Sequence, residues 1–149
     1  MTVYLASYKG RKTGHDAKAC VARLADGLVR LATGGLYSHC EIAIRLSDGQ
    51  YRCFSASLRD GGVRMKLMPL PSDKWDLIQL PDKVAVSAAS LYARTQNADY
   101  DLIGAIGVLA GFGDDPDRWF CSEWCAAAVG LDNPASYSPT SLASVLKTL

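Results

Sequence analysis

The sequence predicts an α+β fold, a single domain spanning residues 1–149 in which a central antiparallel sheet or partial barrel packs against helices. Three observations predict it. A chain of 149 residues, 49% of them hydrophobic, has the size of one domain and the apolar content for a real core. Its middle alternates apolar and polar residues through successive runs separated by Asp-Gly turns and prolines, the pattern of an antiparallel meander. On both flanks of that meander apolar residues recur at helical spacing, and no repeat, low-complexity tract or linker interrupts the layout.

Residues 2–8 alternate and read as a short strand that ends at Lys9-Gly10. Over residues 16–31, Ala19, Cys20, Ala22, Leu24, Leu28, Val29 and Leu31 fall at helical spacing, with Gly34-Gly35 as the stop. Residues 38–46 and 50–57 are two alternating runs joined by Ser47-Asp48-Gly49, a hairpin signal because Asp-Gly supplies positive-φ turn positions. A third run, residues 62–68, follows the turn at Asp60-Gly61, and residues 75–80 make a fourth; Pro69, Pro71 and Pro81 mark strand ends.

Residues 83–95 and 100–110 read as helices separated by Gln96 to Asp99, with Asp99 capping the second. Residues 111–117 are a Gly/Asp/Pro loop. Residues 120–129 form a short apolar helix, and residues 140–149 a last one after Pro139.

Charge and composition exclude several functions. With 16 Lys+Arg against 15 Asp+Glu, the formal charge of +1 leaves no footprint for nucleic acid. The start shows no basic n-region, long apolar h-region or cleavage site, so the expectation is a chain without a signal peptide, cytoplasmic as synthesised. The longest apolar stretch, residues 102–112, falls short of the roughly 20 residues of a membrane span, so no transmembrane segment is expected. The Gly104-x-x-Gly107 spacing lies inside an apolar helical run rather than a strand-turn-helix setting, and the five cysteines lack CxxC spacing, so no cofactor or metal is expected.

The odd count of cysteines leaves at least one free thiol even if the others pair. Cys121 follows a turn-rich loop and opens an apolar helix, where backbone N–H groups and the dipole favour the thiolate. Cys125, one turn further and flanked by alanine, reads as core. Of the two histidines, His15 lies in a polar segment, while His39 opens the first strand of the meander. A thiolate beside an imidazole is the minimal constellation for covalent acyl transfer: histidine takes the thiol proton and returns it to the leaving group, and a third polar residue orients the ring. Spacing alone does not show that Cys121 and His39 meet.

Three segments supply a reason to pair them: Thr33-Gly-Gly-Leu-Tyr-Ser-His-Cys-Glu-Ile-Ala-Ile44, then Phe54-Ser-Ala-Ser57 running into Gly62-Val63, then Tyr100-Asp101 with Phe120-Cys-Ser-Glu123. Their order and wording resemble the circularly permuted branch of the NlpC-type papain-like peptidases, the group that includes lecithin retinol acyltransferase-like enzymes. In that branch the strand histidine comes early and the cysteine, in a Cys-Ser-Glu motif opening a helix, comes late.

The resemblance implies a papain-like fold, Cys121 as nucleophile, His39 as general base and backbone N–H groups around Cys121 as an oxyanion hole. Many relatives carry an acidic, amide or second histidine side chain on the strand after the histidine, where this chain offers Ser55 or Ser57. Ser55 is the choice for the third position, although serine orients an imidazole only weakly. Glu41 is the alternative, since residues two apart on one strand project to the same face.

Glu123 reads as a structural carboxylate in the first helical turn. Tyr37 and Tyr100 read as cleft-lining or packing residues, and Trp75, Trp119 and Trp124 as core or groove wall.

The implied activity is that of a cysteine peptidase or amidase on a peptide-like substrate. Cell-wall peptide is the first suspicion, with delivery by a partner such as a phage tail or lysis system. The alternatives are a lipid thioesterase, lipase or acyltransferase using the same pair, and a catalytically silent binding or structural module of a phage particle.

Overall fold

The computed structural model describes residues 1–11, 17, 20, 23, 27, 29, 30, 34–101 and 117–148. The helix expected over residues 16–31 lies largely outside the described residues. So do residues 102–110 of the second expected helix, the loop over 111–116 and the Gly104/Gly107 pair. Among the described residues the chain is mixed α+β, and no helix is long and apolar enough to cross a membrane.

Seven strands form one sheet that curls as a half-barrel: β1 (Val3–Tyr8), β2 (His39–Arg45), β3 (Tyr51–Ser57), β4 (Gly62–Met68), β5 (Trp75–Leu80), β6 (Asp99–Tyr100) and β7 (Arg118–Trp119). Among the described residues three full helices pack with it: α1 (Lys83–Thr95), α2 (Cys121–Val129) and α3 (Pro139–Leu146). The strand order is β5-β1-β2-β3-β4-β6-β7, antiparallel throughout except for the β6–β7 pair.

The β2–β3 hairpin forms where turn chemistry demands it. Gly49 takes φ +84°, which a side chain resists, its N–H donates to the Leu46 carbonyl at 3.2 Å, and the Asp48 carboxylate accepts the Gln50 N–H at 3.0 Å. The fourth run of the meander is a strand, but it pairs with β1 and not with β4. Two neighbours decide this. The outer edge of β4 is taken by β6, and the Lys74 carbonyl accepts N–H groups from Lys9 and Gly10, drawing β5 onto the free side of β1.

Alternation divides the sheet into two faces. One carries Leu5, Cys40, Ile42 and Phe54 against α1, α2 and α3, and at its centre Trp124 is fully buried and stacked on Phe54. The other carries the small buried residues Ala6, Ala43 and Cys53, with Leu70 packed on them.

Two expectations are corrected at the sheet's far edge. Asp99 does not cap a helix and Tyr100 does not start one; together they are β6, paired to Gly62 on one side and to Arg118–Trp119 on the other. Backbone pairing outweighs local preference here: the Asp99 N–H donates to the Asp117 carbonyl and the Asp101 N–H to the Trp119 carbonyl, at 3.1 and 2.9 Å. Gly62 makes the junction possible. At φ +152° it passes so close to the Ala98 carbonyl that any Cβ collides with it. The last helix starts at Pro139 and ends at Leu146, shorter than the 140–149 expected.

Candidate active site

Cys121 is the first residue of α2 and is 3% exposed. The cap residue Phe120 has an extended backbone and no side-chain acceptor for the first-turn N–H groups; Glu123 reaches back to accept the Phe120 N–H at 3.4 Å. This is the structural carboxylate role expected of Glu123. The helix is fixed on two sides. Ser122 Oγ donates to the Tyr137 carbonyl at 2.6 Å, and Trp124 Nε1 donates to Thr95 Oγ1 at the end of α1 at 3.0 Å. Trp124 is therefore core.

His39 opens β2, directly opposite Tyr8 of β1, with the Trp75 ring 6.3 Å away between centroids. Packing of α2 across β2 and β3 brings Cys121 to His39, and the two side chains act on each other as hydrogen-bond and charge partners. His39 Nε2 lies 3.1 Å from Glu41 Oε1. With that nitrogen engaged by the carboxylate, the nitrogen left for the thiol is Nδ1.

Ser55 does not take the third position. It is fully buried, and its hydroxyl donates to the Cys40 carbonyl at 2.7 Å and to the Ala56 carbonyl at 3.2 Å. The side chain that meets the ring is Glu41, and the reason is Arg64. This residue sits directly opposite Ser55 on β4 and grips Glu41 through both carboxylate oxygens, Nη1 to Oε2 and Nη2 to Oε1, each at 2.7 Å. Arg64 Nε in turn donates to Asp60 at 3.0 Å, and Lys66 donates to the other Asp60 oxygen. A line of alternating charge thus runs Lys66, Asp60, Arg64, Glu41, His39, Cys121.

The protonation states follow from this line. For Glu41, burial works against the charge, but hydrogen bonds from Arg64 and His39 outweigh it and hold the carboxyl at about 2. For His39 burial again opposes the charge; the Cys121 charge and hydrogen bond, followed by those of Glu41, raise the imidazole to about 9. The Cys121 thiol lies well below the ordinary thiol range. The largest cause is a hydrogen bond from Cys40, which burial opposes; the charge and hydrogen bond of His39 and the Cys40 backbone N–H then add to it. Cys40 itself is pushed far up, by burial first and then by its thiol neighbours Cys121 and Cys125, and so remains a protonated donor.

Sequence reasoning missed Arg64, Asp60 and Cys40 as members of this group. Arg64 is legible only once the β3–β4 register is known, and Cys40 reads simply as a buried hydrophobe. Of the two readings offered for Tyr37, cleft-lining or packing, the structure shows packing: it is 5% exposed and donates to Asp76 at 2.7 Å, and its phenol is pushed up to about 12 by burial and then by Asp76. Tyr100 lies in β6, and Trp75 stands at the His39 edge of the sheet, stacked edge-on with Tyr8.

No protein-family model matches the chain, and neither the curated proteins nor the solved structures contain a significant match to it.

Proposed function

We propose that the chain is a cysteine hydrolase in which Cys121 attacks an acyl carbon, His39 shuttles the proton and Glu41 orients the imidazole. One observation carries the reading: the His39 ring lies between a helix-opening thiol and a buried carboxylate, with thiol and imidazole shifted toward the thiolate–imidazolium pair. In the proposed reaction the thiolate adds to a carbonyl carbon and the oxyanion takes hydrogen bonds from N–H groups at the start of α2. The imidazolium then protonates the departing amine or alcohol, and water, deprotonated by His39, hydrolyses the thioester.

The half-barrel with a nucleophile helix against it is read as papain-like on the motif order described above. On the same ground the proposed substrate is peptide-like, with cell-wall peptide first in line. A silent binding module is disfavoured by Glu41, which supplies the acidic orienter that the serines on the next strand do not.

The test is the pH dependence of iodoacetamide alkylation, mapped by mass spectrometry, for the wild type and His39→Ala. Fast alkylation of Cys121 near or below neutral pH, slowed in the variant, is the expected result. Substrate screening then compares wall peptides with p-nitrophenyl acyl esters. Cleavage of the esters alone moves the reading to a lipid thioesterase or acyltransferase on the same pair. A Cys121 that reacts like an ordinary thiol with or without His39 overturns the hydrolase reading.

A further inference from the structure

The buried polar chain behind His39 extends further than acyl transfer requires. A carboxylate alone can orient an imidazole. Here Glu41, 1% exposed on its side chain, is itself clamped by a guanidinium whose third contact goes to Asp60. An unpaired carboxylate at that burial would compete with Cys121 for the positive charge of the imidazole and add a second negative charge beside the thiolate.

We propose that Arg64 is a positioning residue for the Cys121–His39 pair: its fork fixes the Glu41 carboxylate against the ring, and its charge offsets Glu41 so that the imidazolium is left to the thiolate. This rests on the hydrolase reading and deepens it.

The groups that act on this line support the assignment. Asp60 and Lys66 come from the turn before β4 and from β4 itself, and Asp60 divides its two oxygens between Arg64 and Lys66. Cys40 and Cys53, from β2 and β3, are both pushed toward the neutral thiol by burial and contribute no charge. Arg64 thus shares Glu41 Oε1 with His39 and alone of the two also holds Oε2, and its bidentate fork supplies both a charge and a fixed angle, which a lysine ammonium does not.

The experiment measures the pH midpoint of Cys121 alkylation in the intact wild type, Arg64→Met and Arg64→Lys, with labelling of buried Cys40 and Cys53 as the control for unfolding. Loss of the cation raises the midpoint of Arg64→Met by about one pH unit or more, and Arg64→Lys, with charge but no fork, by about half as much. A merely structural Arg64 lowers stability and exposes Cys40 and Cys53 without moving the Cys121 midpoint in the folded fraction. Should Arg64→Met fail to fold, Arg64→Lys decides, and a midpoint equal to that of the wild type overturns the proposal. If the wild type itself shows no His39-dependent reactive thiolate, the hydrolase reading fails first and takes the Arg64 role with it; a reactive wild type with unmoved Arg64 variants defeats the Arg64 role alone.

Discussion

His39 and Glu41 lie two residues apart on β2 and face each other across 3.1 Å, imidazole nitrogen to carboxylate oxygen. The contact exists because alternation puts both side chains on one face of the strand. It predicts that Glu41→Gln, which keeps an acceptor and removes its charge, lowers the His39 titration midpoint from about 9. Imidazole NMR is suited to the measurement, since the chain has two histidines. A midpoint that stays in place would show that the carboxylate charge does not act on the ring.

Ser55 provides the contrasting case. Its hydroxyl serves the Cys40 carbonyl and not the imidazole. Ser55→Ala is expected to cost about 1 kcal/mol in urea unfolding through the lost buried hydrogen bond, and to leave the pH profile of Cys121 alkylation unchanged. A shifted profile with intact stability would return Ser55 to the third position.

Acid stability follows from Glu41. Its folded value of about 2 lies below the 4.5 of a free glutamate, so the unfolded chain binds its proton first as the pH falls. The stabilisation is present in full above about pH 4.5 and is lost as the pH drops through 2, with a size on the order of a few kcal/mol. Urea unfolding followed from pH 6 to pH 2.5 should therefore fall more steeply for the wild type than for Glu41→Gln. Parallel curves would place the acid sensitivity elsewhere.

Helix α2 is tied to α1 by the 3.0 Å bond from Trp124 to Thr95. Thr95→Val keeps the shape and strands a buried indole N–H, which costs about 1–3 kcal/mol. Trp124→Phe, removing the donor instead, leaves no orphan N–H but opens space in the core. In the double variant the two losses should be less than additive by thermal or urea unfolding, and strict additivity would argue that the bond contributes nothing.

Two glycines with positive φ are expected to differ sharply. Gly49→Ala sits in an open turn and costs about 1 kcal/mol for its backbone conformation alone. Gly62→Ala adds a collision with the Ala98 backbone, so its cost should exceed about 2 kcal/mol and the β4–β6 junction should open. Hydrogen exchange at the Val63 N–H, which donates to the Ala98 carbonyl at 3.0 Å, reports that opening. Equal stability losses in the two variants would contradict the close approach.

What was legible in the sequence was local. The strands from residue 38 to residue 80 announce themselves by alternation and by Asp-Gly and proline punctuation, and each forms where expected. Where β5 docks was not legible, because its partner β1 lies some seventy residues earlier, a separation that no periodicity encodes. The two-residue strands β6 and β7 are too short to carry a period and exist through pairing alone. Cys121 and His39 stood out by position, on a helix start and a strand start, and Glu41 by its spacing from His39. Arg64 did not stand out: an arginine on an alternating strand looks like any solvated cation until the register sets it beside a buried carboxylate two strands away.

His39, Glu41, Arg64, Asp60 and Lys66 all come from one unbroken stretch of meander, and only the Cys121 thiol arrives from elsewhere in the chain. That division matters for how such a site drifts over generations. A descendant that exchanged Cys121 for a small residue would still inherit a Glu41–Arg64–Asp60–Lys66 group whose charges are matched among themselves. Loss of the Cys121 thiol thus leaves that group balanced, whereas loss of the arginine strands a buried anion. In this architecture the thiol can be exchanged more readily than the charged group behind His39.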